Sequence, residues 1–430
     1  RGVIAAKPET IVINEKICEG CGDCAVQSNC VAVKPIIRPE GEKRQIDQSV
    51  CNKDMSCLTG FCPSFVTVRS KNNTNTQPQK KRPTFPKNTV LPAPTTETSD
   101  ICNIFIAGIG GAGISTLSGI LIMAARIDRI AGTAVNQTGL SQKNGGVTSQ
   151  VRLKRNGSLS NHMVRLPTHG ADLLIGCDAV VAANDMVLNL VNKVTSYAII
   201  NDNIDPVGVA GVGIGSIVDM PVVMSRLEAV MCPSRITRLA ISSLANQLLG
   251  SSTSSAIIML GWALQKGLIP LGINAIETAI RLNGTAIDDN LAALKWGRLL
   301  AHDSSQVFAS LGPSKNIDQD ATVITNAEEA IAYFTAQLNI YQSTNYAARF
   351  QTIITKFLSQ IDHHKIDRDT IGVKAARALY RAMAIKDEYE VARLLTDVAF
   401  TEKLNSIGGD EPSIYYYLAP PVFSWLKDSS

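Results

Sequence analysis

The sequence predicts an α/β protein in three parts: a small cysteine-rich module, a parallel α/β domain and a mostly helical C-terminal region. Three observations carry this. Of ten cysteines, seven lie between Cys18 and Cys62. A continuous apolar run, Ile104-Phe105-Ile106-Ala107, leads into a glycine-dense turn and then into apolar residues at helical spacing. Beyond Ser242 the apolar residues recur at helical spacing almost throughout. A length of 430 residues is too great for one ordinary domain and suits two or three.

Composition narrows the class. Hydrophobic residues make up 45% and charged residues 18%, which is enough apolar material for a large core and excludes global disorder. Aromatics are only 5%, so that core must be aliphatic. With 41 basic and 37 acidic residues the net charge of +4 is too small for a nucleic-acid footprint, so no nucleic-acid partner is expected. From Ile101 to Ala125 there is no charge, a stretch long enough to cross a bilayer. It is broken by Gly108, Gly110, Gly111, Gly113 and Gly119 and by Ser115, Thr116 and Ser118, so a buried strand, turn and helix is the better reading, with no membrane partner. The chain opens without a signal-peptide pattern, so a cytoplasmic, reducing setting is expected. Arg1 is not an initiator residue, and the chain is expected to be a processed product, a subunit or a fragment.

Residues 1–69 form the first part, with strands expected at Ile11-Val12-Ile13 and Phe65-Val66-Thr67-Val68. Residues 70–100 hold Pro78, Pro83, Pro86, Pro92 and Pro94 among polar residues and read as an extended, semi-rigid linker. Residues 101–233 alternate strand and helix signals. The first strand at 104–107 is followed by a helix through Ile114, Leu117, Leu121 and Ala124, then a strand at 132–135. A strand at 173–175, a helix over 179–194 and a strand at 197–200 complete the pattern of a parallel sheet. In residues 234–430 helices are expected over 242–266, 273–283, 287–302, 328–361 and 370–398. Asn274 before Glu277 suggests a helix N-terminus, and Lys386-Asp387-Glu388 with Arg393 a salt-bridged helix face.

The cysteines carry the strongest chemical signal. Cys18-Glu-Gly-Cys21-Gly-Asp-Cys24 places three thiolates at two-residue gaps, a spacing that wraps one corner of an iron–sulfur cube. Gly20 and Gly22 let the backbone approach the sulfides. The fourth ligand of such a cluster comes from a distant cysteine followed by proline, and Cys62-Pro63 is that pair. Cys18, Cys21, Cys24 and Cys62 are therefore assigned to one [4Fe–4S] cluster in a ferredoxin-like module. Cys30, Cys51 and Cys57 depart from the ferredoxin spacing. They could form a second Fe–S site, hold a structural zinc with another group, or be inert thiols.

Gly108-Ile-Gly110-Gly111-Ala-Gly113 sits between an expected strand and helix, as in a Rossmann-like domain whose turn amides face an anion. A nicotinamide site also needs an acid at the end of the second strand, yet no Asp or Glu occurs between Asp128 and Asp172. The glycines could instead serve only tight strand–helix packing. The polar stretch Thr138 to Ser149 adds Gln142 and Lys143 as candidate contacts to an anionic ligand or a partner domain.

Taken together, CEGCGDCAVQSNC, QIDQSVCNKDMSCLTGFCPSFVTV, AGIGGAGI, TGLSQKNGGVTSQVRL, ADLLIGCDAVVAA and MAIKDEYEVARLLTD resemble, in order, the C-terminal part of a fused indolepyruvate ferredoxin oxidoreductase of the 2-oxoacid:ferredoxin oxidoreductase family. The resemblance implies a ferredoxin-like segment, a γ-type domain and a helical tail cut short after Pro420. It implies electron relay from thiamine-dependent oxidative decarboxylation, which forms an acyl-coenzyme A, to ferredoxin. Thiamine diphosphate with magnesium needs a Gly-Asp-Gly motif, and the only Gly-Asp pairs here, Gly22-Asp23 and Gly409-Asp410, do not continue with glycine. The resemblance thus places thiamine diphosphate, magnesium and coenzyme A on missing domains or partner chains, so the chain is not catalytically complete alone and an oligomer is expected. The competing expectations are a stand-alone Fe–S electron carrier or redox-sensing partner protein and, less well supported, a nicotinamide- or flavin-linked reductase.

Overall fold

The computed structural model describes residues 9–28, 30, 32–60, 62–70, 82–86, 89–95, 100–138, 145–157, 159, 164–203, 220–311, 324–361, 367–409 and 411–418. Among these residues no helix is long and apolar enough to cross a membrane.

The cysteine-rich part contains β1 (Glu9–Ile13), α1 (Asp23–Ser28), the β2 (Val33–Arg38) and β3 (Gly41–Ile46) hairpin, and β4 (Phe65–Arg69). β1 and β4 pair antiparallel with Ile11 opposite Thr67. Side chains alternate across a strand, and here both faces are covered. Ile11, Ile13 and Phe65 pack with Val33 and Ile46 against Cys18 and Cys57. Val12, Val66 and Val68 face the other way, onto Val391, Leu394, Leu395 and Leu404 of the C-terminal region.

The second part is a three-layer α/β unit. Its elements are β5 (Ile101–Ile109), α2 (Ile114–Ile127), β6 (Ala131–Thr138), β7 (Gly146–Lys154), β8 (Leu173–Gly176), α3 (Ala179–Ala182), α4 (Asp185–Leu188), β9 (Tyr197–Asn201), α5 (Met220–Val230) and β10 (Ile236–Leu239). The strand order is β10-β9-β8-β5-β7-β6. The strands β5, β8, β9 and β10 are parallel, and β7 runs antiparallel between β5 and β6. The fold is therefore α/β as expected, with a hairpin edge that strand–helix alternation did not foretell. The expected helix over 179–194 is two short ones, because Asp178 and Asn184 each capture a helix N-terminal amide, on Val181 and Met186.

The sheet continues past residue 233, since β10 joins its edge. The helices α6 (Ile241–Leu249), α7 (Ser255–Gln265), α8 (Ile273–Asn283), α9 (Ile287–His302) and α10 (Ser304–Ser310) follow. They share one core with α2 and with the β5 face bearing Cys102, Ile104 and Ile106, while Phe105 and Ala107 face α3, α4 and α5. The single helix expected over 242–266 is interrupted at Gly250, whose left-handed φ of 75° ends α6. The α8 start is stabilised by Asp128, which accepts the Gly272 amide at 2.5 Å, rather than by Asn274 with Glu277.

The described stretches of the expected linker are fastened to this unit. Phe85 packs on Trp296 with ring centroids 4.9 Å apart, and Lys295 Nζ lies 4.1 Å from the Phe85 centroid. Pro92 O accepts from Gln265 and Arg298 at 3.0 and 3.1 Å. Phe85→Ala is expected to lower stability by about 1–2 kcal/mol, read as a lower urea midpoint, because it deletes both ring contacts. An unchanged midpoint would show that the linker is not anchored there.

The C-terminal part holds α11 (Ala327–Tyr341), α12 (Thr344–Ile361), α13 (Arg368–Met383), α14 (Glu388–Leu395), α15 (Val398–Gly408) and β11 (Ser413–Tyr416). Phe334, Leu338, Phe350 and Ile354 form its core, with Phe334 stacked on Tyr380 at 4.7 Å. The long helix expected over 370–398 is split because Asp387 and Asp397 cap new helices, accepting from Glu390 and from Ala399 and Phe400. β11 returns to the first module as the third strand beside β4, with Ile414 opposite Val68.

Candidate functional site

The site grows out of the turn after β1. Asn14 O accepts the amides of Ile17 and Cys18, while Asn14 Nδ2 donates to Leu394 O at 2.9 Å. Cys18 is thereby set at the floor of the module. The chain then doubles back through Gly20, in the left-handed region at φ 69°. A Cβ on Gly20 would lie 2.1 Å from Glu42 O, so this loop must press directly on the β3 backbone. The close approach lets two amides, Gly20 N at 3.4 Å and Arg44 N at 3.3 Å, point at Cys18 Sγ. Cys24 follows on α1, and Cys62 Sγ lies 3.0 Å from Ser64 Oγ just before β4.

All ten thiols are unbridged. Charge effects link several of the clustered ones. Burial pushes the Cys24 thiol up to about 12, and the Cys18, Cys21 and Cys62 sulfurs add to it against Arg44. Burial likewise raises Cys18, opposed by the amides of Gly20 and Arg44 and by Lys43, with Cys62 raising it further. Burial pushes Cys57 up to about 12, with Cys30 and Cys51 as its next strongest influences and Cys24 among the weaker ones. Burial also raises Cys51, which feels Cys30. Cys24 thus feels Cys18, Cys21 and Cys62, and Cys57 feels Cys30 and Cys51 and, more weakly, Cys24.

Two cations are buried among these sulfurs. Lys43 is 3% exposed and donates to Cys18 O at 2.6 Å, and Arg44 is 4% exposed and pairs with Glu42 at 2.8 Å. Burial holds the Lys43 ammonium down to about 8, helped by Lys386 and opposed by Glu19, Glu40 and Cys18. Buried charges are retained where they meet an opposite charge. Thiols in pKa-raising surroundings become ligands when a metal displaces their protons, and the residual negative charge of a thiolate-held cluster suits two buried cations. The donor set thus fits an Fe–S group in chemistry. Among the described residues no three His, Cys, Asp or Glu side chains are gathered as ligands of one metal ion.

The module sits on the carboxyl edge of the parallel strands. α6 starts beside β9, where Asn201 Nδ2 donates to Ser242 Oγ at 2.8 Å. The following turn places Ser252 Oγ 3.0 Å from Ser49 Oγ and 3.3 Å from Asp47 Oδ2 in the cysteine module. The same turn leads to Ala256, whose Cβ lies 3.9 Å from where a Cβ on Gly113 would be. The Cys51 end of the module and the glycine turn therefore flank one short helical connection.

Within the glycine turn, Gly108 serves packing, since a Cβ there would meet Ile114 Cδ1 at 2.7 Å and Cys177 Cβ at 3.1 Å. Gly111 and Gly113 have left-handed φ of 94° and 79°, and Gly110 N donates to Gly145 O at 3.0 Å. Gln142 and Lys143 lie outside the described residues. β6 ends in Asn136, Gln137 and Thr138 and carries no acid. Burial pushes Cys102 and Cys177 up to about 12 in the α/β core, which makes them inert packing thiols.

Sequence reasoning missed Lys43 and Arg44 as neighbours of Cys18, Glu19 as the link to the C-terminal region, and Asp47 and Ser252 as the link to the α/β unit. It also placed Lys386 on a self-contained helix face. Arg393 does pair with Glu390 within α14, but Lys386 instead reaches across to Glu19 and to Ile17 O. The correction has a simple cause: Asp387 starts a new helix, so Lys386 lies before it and is available to the facing module.

Asp47 supplies a pH test of the docking. Burial would raise its carboxyl, but Lys34 at 2.9 Å and the Ser49 hydroxyl and amide outweigh this and hold it below the ordinary value of 3.8. A depressed carboxyl stabilises the fold fully above its unfolded value and loses that contribution as pH falls through the folded value. The protection factors of the amides at residues 249–256, corrected for intrinsic exchange, are thus expected to stay high near neutrality and to fall below about pH 4. In Asp47→Asn the protection factors should be low at both pH values; a variant with the wild-type profile would exclude this role.

Residues 103–300 match the pyruvate ferredoxin/flavodoxin oxidoreductase family, and residues 327–430 match a family of unknown function (DUF6537). The clustered cysteines lie outside both ranges. Indolepyruvate oxidoreductase subunit IorB of Archaeoglobus fulgidus is 27% identical over 197 residues, which are 45% of this chain and 92% of that protein. Pyruvate oxidoreductase subunit PORC of Thermotoga maritima is 16% identical with a TM-score of 0.34, covering 46% of this chain and 96% of its own. The gamma subunit of a keto/oxoacid ferredoxin oxidoreductase from Geobacter sulfurreducens is 17% identical with a TM-score of 0.33, covering 47% of this chain and 98% of its own. The family match runs through the α/β unit, from its first strand to α9. Within those residues the chain is similar to subunits of 2-oxoacid oxidoreductases.

Proposed function

We propose that this chain is the electron-transfer and γ-type portion of a 2-oxoacid:ferredoxin oxidoreductase acting on indolepyruvate or a related arylpyruvate. The observation that supports it most is the packing of six cysteines, Cys18, Cys24, Cys30, Cys51, Cys57 and Cys62, with two buried cations in one small module on the carboxyl edge of the α/β sheet, while Cys21 is exposed beside them. An Fe–S cluster bound there would supply one-electron transfer. Cys18, Cys21, Cys24 and Cys62 would hold it, with Cys30, Cys51 and Cys57 as a second site. The amides of Gly20 and Arg44 orient and stabilise the Cys18 thiolate, and Lys43 fixes the carbonyl of the same residue. The strands around Ile11, Ile13 and Phe65 exclude water behind it.

The decarboxylating chemistry belongs to partner chains or domains carrying thiamine diphosphate and magnesium, with coenzyme A as acyl acceptor and ferredoxin as electron acceptor. The turn at Gly108, Gly110, Gly111 and Gly113, with Gln142 and Lys143, is the proposed contact with an anionic group of that assembly. The substrate assignment leans on the IorB relative. We propose 1–69 as the cluster module and 70–100 as the linker, and, because β10 and the helices after it complete the sheet and its core, a γ-type unit that runs past 233 to about residue 311, with the helical remainder beyond it.

Anaerobic purification with iron, sulfide and zinc quantified per chain tests the central claim. Iron and sulfide in equal amounts, in a brown protein bleached by dithionite, are expected, with Cys18→Ala losing iron. Zinc without iron would remove the assignment. Co-purification with a thiamine-binding chain supports the oxidoreductase reading, whereas an iron-loaded chain that never associates with one would favour a stand-alone carrier.

A further inference from the structure

Glu19 lies inside the first cysteine motif, yet its carboxylate is held from the far end of the chain. Lys386 Nζ pairs with it, and Arg381 Nη2 does so at 3.1 Å. The same Lys386 ammonium donates to Ile17 O at 3.2 Å, so it grips the backbone beside Cys18 as well as the side chain after it. Further fastenings surround this one. Arg377 donates to Pro39 O at 2.7 Å and Tyr333 to Glu40 at 2.5 Å. A cavity of about 90 Å³ lies between the two parts, lined by Glu19, Glu40, Lys43, Tyr380, Arg381 and Lys386.

We propose that the C-terminal helical region tunes the reduction of the cysteine module through Glu19, with Lys386 and Arg381 as positioning residues for the Cys18–Cys21 loop. This rests on the iron–sulfur reading above. Reduction places one more negative charge beside Glu19, so the balance between that carboxylate and its two cations bears on how readily the electron is accepted. Removing the Glu19 charge leaves Lys386 and Arg381 to favour the reduced form. Removing the Lys386 charge leaves Glu19 less compensated and opposes reduction. A purely mechanical clamp would behave differently, because both substitutions break the same contact and would act in the same direction.

The test is a dithionite titration of the full-length chain, with iron per chain measured in every variant. Glu19→Gln is expected to raise the one-electron reduction equilibrium constant roughly tenfold, or ~59 mV, and Lys386→Met to lower it by about as much. The double variant is expected near the wild-type potential, and Lys386→Arg, which keeps the charge, should match the wild type. Shifts of the same sign in the two single variants, or none in iron-loaded protein, overturn the proposal. Should Lys386→Met fail to hold iron, a Glu19→Gln protein at or below the wild-type potential overturns it equally. A wild-type chain without iron would instead defeat the reading of the module itself.

Discussion

Gly297→Ala is expected to cost about 3 kcal/mol or more and to lower the urea midpoint of the α/β unit sharply. The helices α7 and α9 cross through two glycines. A Cβ on Gly297 would sit 2.0 Å from Ile258 O, and one on Gly261 would sit 2.3 Å from Leu294 O. Both obstacles are backbone, which cannot rotate aside as a side chain does. Relief requires moving α7, yet every residue of α7 from Ser255 to Leu264 is buried. Moving it would open the core shared with α2, α8 and β5. A variant with the wild-type midpoint would show that the two helices do not approach this closely in solution.

On the iron–sulfur reading proposed above, Gly20→Ala is expected to lose most of its iron while the α/β unit keeps its stability. The substitution combines a left-handed φ of 69° with a Cβ 2.1 Å from Glu42 O, so the loop must lift from β3 and withdraw the amides that serve Cys18. Gly111→Ala is the informative contrast. Its φ is 94°, but nothing lies within 4 Å of the added atom. The cost should then be conformational alone, about 1–2 kcal/mol, with iron content unchanged. Iron per chain and the urea midpoint, measured for both variants, separate these outcomes. Full iron in Gly20→Ala would mean that the loop does not depend on its contact with β3.

Much of the layout was legible in residue order. The strands at 11–13, 65–68, 104–107, 173–175 and 197–200 all lie within strands of the structure, because buried strands announce themselves as short apolar runs. The glycine turn fell between β5 and α2 as its spacing implied. Helix ends were less legible. Apolar periodicity ran unbroken past Asp387 and Asp397, and the caps that divide those helices work through single side-chain hydrogen bonds that periodicity does not register. The antiparallel placement of β7 was missed for a related reason: a strand's apolar pattern reports burial, not direction.

The sequence by itself determined which residues could do chemistry here: a C-x2-C-x2-C run, a remote Cys-Pro, and a glycine turn with no acid behind it. Those signals are local, set by spacing along a few covalent links. Only the tertiary structure decided what surrounds them. It buried Lys43 and Arg44 among the sulfurs, set Asp47 and Ser49 on Ser252, and brought Lys386 to Glu19 from the other end of the chain. It also paired β11 with β4, so that the last strand described completes the sheet of the first module. Such partnerships form because two buried faces must each be covered, and the residues that cover them can come from any distance along the chain.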